Sequence, residues 1–589
     1  MAFMSDSVRS ASGSTPWFRP ADFATLPEAL DFAARGKAGL SFYSGRGALV
    51  EHLAYEQLRD EAVSLGRRML GAGLRSGDRV AMIAETEAGF VRSFFACQYA
   101  GLVPVPLPLP ASFGGREAYL GQLRGQIHAC GAAAAIGPAS FVGLLNDAAN
   151  SIDRSMIGGF DLFDDAPAQP KELPKPDPAK LSYIQFSSGS TRRPAGVAVT
   201  HYALMSNASA IVRDGLRVVP GDRCVSWLPF YHDMGLVGFL LAAVAAQLPV
   251  DYIATSDFAR RPLLWLSLIS ENGGTISYSP SFGYELCARR AENAVPPSLD
   301  LRSWRIAGIG GDMIRLSVLK RFAATFAESG FEETAFVASY GLAEATLAVS
   351  MAPLEKGIEA ENVCADSIGE GDKVVPLPME TSSSRSRKLV LCGRPLPNVE
   401  VEIRDPAGGA LPEGIIGRVF VRGPAVMKGY FNDKAQTERV LGADGWLDTG
   451  DLGYWRSGAL VIAGRAKELI IINGRNVWPQ DLEWAAELVP EVRSGDVAAF
   501  AVDGEDGEGE RAVLVVECRT NDPELRSSLV KQIAAAVRSS AGIDCQVVLV
   551  PPRTLPHTSS GKLSRTRAKQ SFLAGDYAPS PAEGAVPGR

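Results

Sequence analysis

Between Arg79 and Val105 the chain reads strand, helix, strand, and this unit constrains the fold more than any other stretch. Arg79 to Ala84 is a short buried-type run, Ala88 to Ala100 carries apolar residues at helical spacing, and Leu102 to Val105 is a second short run. Leu181 to Phe186, Arg223 to Leu228 and Thr275 to Tyr278 are further candidate strands between helical stretches. Strands alternating with helices favour a mostly parallel sheet covered by helices, so the class expected is α/β.

A chain of 589 residues is too long for one core, and at least two domains are expected. Asp164 to Lys180, rich in Pro and charge, reads as a surface connection. From Leu389 the texture changes to short β runs such as Val399 to Arg404 and Gly417 to Arg422, which suggests a small β subdomain. Beyond Gly464 an α+β unit is expected, with helices Gln480 to Val489 and Pro523 to Ser540 and strands Asp496 to Val502, Arg511 to Cys518 and Gln546 to Val550. Ala352 to Lys388 fits neither texture; it is polar and reads as an insertion. The domain expectation is a large unit over 21–465, with the insertion at 352–388 and the β subdomain at 389–465. A small C-terminal unit over 466–574 follows, and residues 1–20 and 575–589 are expected to be disordered.

Several function classes are disfavoured. A net charge of −7 argues against nucleic acid or an anionic membrane as partner. Eight cysteines, scattered singly without a C-x-x-C pair, indicate neither a zinc cluster nor a disulfide framework and read as reduced cytoplasmic thiols. Met1 to Phe18 has no continuous apolar core, so a secretory signal is not expected. The longest apolar run, Leu236 to Val250, falls short of the about 20 residues that cross a bilayer, and a buried helix is expected there instead of a transmembrane segment.

The most informative stretch is Ile184 to His201, IQFSSGSTRRPAGVAVTH. A β run enters a loop of small hydroxyl residues around Gly189 and leaves through Arg192, Arg193 and a proline. Small side chains let backbone N–H groups approach phosphate oxygens, and hydroxyls and arginines add donors and charge. An ordinary Ser/Gly turn would look the same. It is not a Walker A loop, which ends in Gly-Lys-Ser/Thr.

This stretch resembles the phosphate loop of the adenylate-forming superfamily: acyl-CoA synthetases, firefly luciferase and the adenylation domains of peptide synthetases. That loop usually reads Ser-Gly-Thr-Thr-Gly-x-Pro-Lys-Gly. Here Arg192 replaces a glycine and Ala195 the lysine, departures similar to the fatty acyl-AMP ligases. The resemblance covers roughly Pro27 to Lys569. It implies a large N-terminal domain of two layered α/β sheets plus a β subdomain, followed by a small mobile α+β lid.

Further motifs follow in the family's order, each with a plainer reading beside it. WLPFYHDMGL, Trp227 to Leu236, is similar to the segment flanking the acyl carboxylate, with His232 as a catalytic candidate; a lone histidine is often only structural. The next helix, Leu236 to Ala246, would line an acyl tunnel, though an apolar helix is core by default. GIGGDMI, Gly308 to Ile314, stands where the family has its adenine loop, giving Gly310, Gly311 and Asp312 as nucleotide contacts, with a side-chain role for Asp312 weakened by departure from the family pattern. In SYGLAEAT, Ser339, Tyr340 and Gly341 would contact adenine and Glu344 would hold Mg²⁺ on the ATP phosphates, joined by Thr191. In WLDTGDLG, Asp451 resembles the ribose-binding carboxylate; an Asx turn is the plain alternative. In GRAKE, Arg465 resembles a ribose and phosphate contact and Lys467 the hinge. NGRNVWPQDLE, Asn473 to Glu483, again resembles the acyl-AMP ligases. SSGKLSR places Lys562 on a Gly-containing loop, where a delivered lysine could bridge carboxylate and α-phosphate; basic residues near a C-terminus are usually just solvated.

The resemblance thus implies an enzyme using ATP and Mg²⁺ that turns a fatty acid into acyl-AMP, with Ser187, Ser188, Gly189, Ser190, Thr191 and Arg192 on the phosphates. The acyl group would pass to the phosphopantetheine of an acyl carrier protein expected to be a separate partner. Two rivals are an acyl-CoA synthetase and a non-catalytic binder of adenylate or acyl chains. Ala195, Arg192 and the insertion argue against the first; Lys562, Glu344 and Asp451 together argue against the second.

Overall fold

The helix Ala88–Ala100 forms where its spacing puts it, closed by Gly101 in the left-handed region at φ +66. Eleven of its 13 residues are buried. It is covered on both sides: Phe90 stacks on Phe230 at 5.4 Å, while Val80 and Met82 of the preceding strand share the same core. That strand, Arg79–Ile83, pairs in parallel with Val103–Leu107, and Ala134–Gly137 and Ile157–Gly159 complete an all-parallel four-stranded sheet. The computed structural model describes residues 18–110, 115–186, 195–292, 295–381, 386–472, 475–503, 510–557 and 563–577.

A second, nine-stranded sheet forms the other layer. Its parallel centre runs in the order Phe336–Gly341, Ile306–Ile309, Ile276–Ser279, Cys224–Ser226, Val250–Ile253 and Gly39–Tyr43. Antiparallel strands finish both edges. Trp227–Asp233, Gly310–Ile314 and the turn at Gly341 all leave from the C-terminal ends of these parallel strands, the edge where open α/β sheets bind ligands.

The β texture after residue 389 becomes a four-stranded antiparallel sheet, Glu400–Arg404, Gly417–Arg422, Leu447–Arg456 and Ala459–Arg465. The C-terminal residues form a separate apolar cluster. Helices Pro479–Ala486 and Pro523–Ala541 pack on Val497–Asp503, Glu510–Glu517 and Cys545–Val550, with Leu482, Leu514 and Ile533 fully buried. Asp522 starts the longer helix by accepting from Glu524 N–H and Leu525 N–H, with proline in the first turn.

The structure differs from the sequence reading at four places. The helix expected over Leu236–Ala246 is a π-helix, Met234–Leu241, followed by one α turn, Ala242–Ala245. An apolar run has no feature that distinguishes the two. The polar stretch 352–388 supplies strands Ala360–Cys364, Pro376–Leu377 and Ser386–Val390, and the last of these runs across residue 388. Before residue 20, Phe18 packs against the main core and Arg19 N–H donates across the fold to Gln247 Oε1 at 3.0 Å. After residue 575, Tyr577 packs into the cluster around Phe500. No helix among the described residues is long and apolar enough to cross a membrane.

Candidate active site

One cavity of about 1030 Å³ opens at the C-terminal edge of the nine-stranded sheet and runs down to the opposite edge. Its mouth is polar and its depth apolar. His232, Gly310, Gly311, Asp312, Ser339, Tyr340, Gly341, Glu344, Asp451, Arg465 and Lys467 all line it. Ser187, Ser188, Gly189, Ser190, Thr191, Arg192 and Lys562 lie outside the described residues. Their chain neighbours Phe186, Ala195 and Leu563 line the same cavity.

At the mouth, Tyr340 Oη donates to Asp451 Oδ2 at 2.6 Å and Arg465 Nε lies 3.2 Å from Asp451 Oδ1. The strand Phe336–Gly341 delivers the tyrosine; the paired strands Leu447–Arg456 and Ala459–Arg465 place Asp451 directly opposite Arg465. Burial raises the Asp451 carboxyl above its ordinary range, and Arg465 and the tyrosine hydroxyl pull it partly back. Gly341 is required by close approach, since a Cβ there would sit 1.8 Å from Leu347 O. The Asx turn that the sequence allowed for Asp451 belongs to Asp448, whose Oδ1 accepts from Gly450 N–H at 2.9 Å.

Glu344 lies beyond the tyrosine, with Oε1 accepting from Tyr430 Oη at 2.9 Å. Burial raises this carboxyl as well, and the tyrosine hydrogen bond opposes the rise. Tyr430, 86 residues away in sequence, was not foreseen; only the pairing of Gly429–Tyr430 with Gly196–Thr200 brings it here. Asp312 is exposed and its Oδ1 accepts from Met313 N–H at 2.8 Å.

His232 Nδ1 lies 2.7 Å from Asp233 Oδ1, which assigns a proton to that nitrogen. Met234 N–H, 3.3 Å from the same nitrogen and 2.8 Å from Asp233 Oδ1, is then bonded to the carboxylate. A neutral ring in this tautomer presents Nε2 as acceptor. Gln185 Oε1 and Gln480 Oε1, both in cavity-wall residues, are buried without a hydrogen-bond partner among the described residues. Each such group costs about 1–3 kcal/mol unless a ligand or water donates to it.

Arg565, which ends the SSGKLSR motif three residues after Lys562 and has no role assigned by it, also lines the cavity. It donates to both oxygens of Glu483 at 2.7 Å and to Glu468 Oε2 at 2.8 Å.

Residues 36–431 match the family described as AMP-binding enzyme. The chain belongs to that family. A Caulobacter vibrioides relative, provisionally described as an acyl-CoA synthetase, is 51% identical and aligns over 95% of this chain and 97% of its own. The medium-chain-fatty-acid acyl-carrier-protein ligase JamA of Moorena producens is 30% identical over 94% and 96%. A solved structure from a study of fatty acyl-adenylate ligases of E. coli and L. pneumophila matches with TM-score 0.89 and 44% identity, covering 95% of this chain and 100% of that one. Within the family the chain groups with the fatty acyl-AMP ligases and is an ATP-dependent ligase.

Proposed function

We propose that the cavity binds ATP at its polar mouth and a fatty acid along its apolar depth, and joins them as acyl-AMP with release of pyrophosphate. The observation that carries this is the single cavity that runs from the Tyr340, Asp451 and Arg465 cluster to Cys224 and Ile276. Asp451 accepts from the ribose hydroxyls, Tyr340 stacks on adenine over the Gly310–Asp312 and Ser339–Gly341 backbone, and Arg465 meets ribose and phosphate. The acyl carboxylate is already ionised at neutral pH, so no general base is needed. One carboxylate oxygen forms a bond to the α-phosphorus; the bond from that phosphorus to the oxygen bridging it to the β-phosphate breaks, and the electron pair leaves with pyrophosphate. His232 flanks the carboxylate, the loop Ser187–Arg192 holds the departing phosphates, and Lys562 bridges carboxylate and α-phosphate as charge shifts.

Mg²⁺ would be held by Glu344 and Thr191 and would neutralise phosphate charge. Among the described residues no three His, Cys, Asp or Glu side chains cluster as metal ligands. A single carboxylate fits a Mg²⁺ that arrives on the nucleotide, because this ion keeps water and phosphate ligands rather than an all-protein cage.

The acceptor proposed for the acyl group is the phosphopantetheine thiol of a separate carrier protein. JamA's activity, Ala195 in place of the usual loop lysine, and the contact of Arg387 in the 352–388 stretch with Asp481 at 3.0 Å support this reading. The C. vibrioides relative's description favours the second reading, transfer to CoA. Eight free thiols, six of them buried, suit a reducing cytoplasm. The test supplies the full chain with ATP, Mg²⁺ and a fatty-acid series, then adds CoA or a phosphopantetheinylated carrier protein and weighs the products. Acyl-carrier product with little acyl-CoA is expected; abundant acyl-CoA would overturn the acceptor.

A further inference from the structure

The apolar end of the cavity reaches Cys224 and Ile276, the first residues of two parallel strands, so the cavity spans the sheet from its C-terminal to its N-terminal edge. Small residues keep it open along the way: Gly238 on the π-helix and Ala242 and Ala243 on the turn that follows. At the far end lies Leu248, which is 6% exposed. A second cavity of about 280 Å³ begins on its other side, at the outer edge of the sheet. Leu248 is the only residue that lines both cavities among the described residues.

We infer that Leu248 is the stop that sets the longest acyl chain the enzyme accepts, in a wall one side chain thick. This rests on the fatty-acid reading of the cavity given above. A stop has to be rigid to discriminate by length, and the backbone here is held on both sides. Leu248 N–H donates to Ala243 O at 2.9 Å, and Leu248 C=O accepts from the buried Tyr55 hydroxyl at 2.5 Å. Gln247 before it is fixed at φ +53, and the Pro249 carbonyl after it accepts from Cys224 N–H at 2.9 Å.

The second cavity offers no competing apolar bed. Its polar groups are already engaged: Arg223 pairs with Asp251 at 2.6 Å, Asn272 donates to the Tyr43 hydroxyl at 3.1 Å, and Gln247 Oε1 accepts from Arg19 N–H. They have no unmet need for an acyl terminus. A chain that reaches Leu248 in the unaltered protein therefore stops there. Removing the side chain frees its own apolar volume for extra methylenes, which then leave water, each worth roughly a fourfold gain in apparent affinity.

The test measures acyl-AMP by mass from the full chain with ATP, Mg²⁺ and even-numbered saturated acids from hexanoic to stearic. The quantity read is the ratio of kcat/KM between acids two methylenes above and two below the wild-type optimum. Leu248→Ala should raise that ratio about tenfold or more and Leu248→Trp should lower it by a similar factor. Partial misfolding lowers the rate on every acid together and leaves the ratio unchanged, so the opposed shifts are diagnostic. Profiles that stay superimposable on wild type in both variants would overturn the inference while leaving the fatty-acid reading intact. No acyl-AMP from any acid with the unaltered chain would overturn the reading and the inference together.

Discussion

Helix Pro479–Ala486 presents two carboxylates, Asp481 and Glu483, and each meets a different arginine. Arg565, on the same C-terminal side of the chain, is paired at all three nitrogens. It makes two bonds to Glu483 and one to Glu468, and although burial alone would lower its pKa, the Glu483 pair reverses this and raises it. Arg387, from strand Ser386–Val390 across the joint, is buried to 4% and is under-satisfied. Nη1 donates to Ala463 O at 3.0 Å and the guanidinium lies 5.3 Å from the Trp478 ring, yet among the described residues Nη2 has no partner and Nε, 3.0 Å from Asp481 Oδ1, is not in hydrogen-bond geometry. Burial lowers its pKa. A fully paired arginine inside a unit holds it together permanently, whereas a half-paired arginine across a joint makes a contact that can be released at small cost. A contact of that kind suits the proposal that the C-terminal unit is a mobile lid.

The comparison breaks most directly at Glu483. Glu483→Ala strands Arg565 in a buried place and also removes the acceptor for Ala499 N–H, 3.0 Å away. A loss of about 3–5 kcal/mol from the stability of the C-terminal unit is expected in urea unfolding followed by hydrogen exchange. Arg387→Ala should cost less, about 1–3 kcal/mol, because Asp481 is 24% exposed and can be hydrated. Arg387→Met, which keeps volume without charge, should fall within about 1 kcal/mol of wild type. Equal losses at Glu483 and Arg387 would remove the distinction. If the joint restrains transfer to CoA, both Arg387 variants should also raise acyl-CoA formation severalfold.

A smaller effect sharpens the same point through pH. Burial raises the Asp481 carboxyl above its unfolded value, with Arg387 opposing. The folded state then holds the proton more tightly, so this contribution to stability is full below the unfolded carboxylate pKa and is lost as pH rises through the folded one. Asp481→Asn should flatten that part of the stability curve as read by hydrogen exchange; an unchanged slope would place the titration elsewhere.

Much of the architecture was legible because local rules and the fold agree. The run Arg79–Val105 kept its period, and Pro523–Ala541 carried its Asp cap, Pro start and Gly stop in sequence. The mouth of the cavity was legible for the same reason, since Ser339–Thr346, Trp446–Gly453 and Gly464–Glu468 are short continuous motifs. Arg387 was not. It sits in a polar stretch that reads as surface, and only its place on an alternating strand, with Lys388 exposed beside it, turns it inward. Tyr430 and Leu248 depend on partners far along the chain, Glu344 and Tyr55, so no local pattern marks them.

The central claim, that this cavity makes acyl-AMP by direct displacement, is tested most directly by pyrophosphate release in a single turnover. Wild-type protein mixed with ATP, Mg²⁺ and a fatty acid should give a burst approaching one pyrophosphate per active site that disappears when the acid is omitted. Lys562→Ala should reduce the burst rate by a factor of about 100 or more while ATP still binds. Pyrophosphate release that ignores the fatty acid, or that is unchanged in Lys562→Ala, would contradict the account.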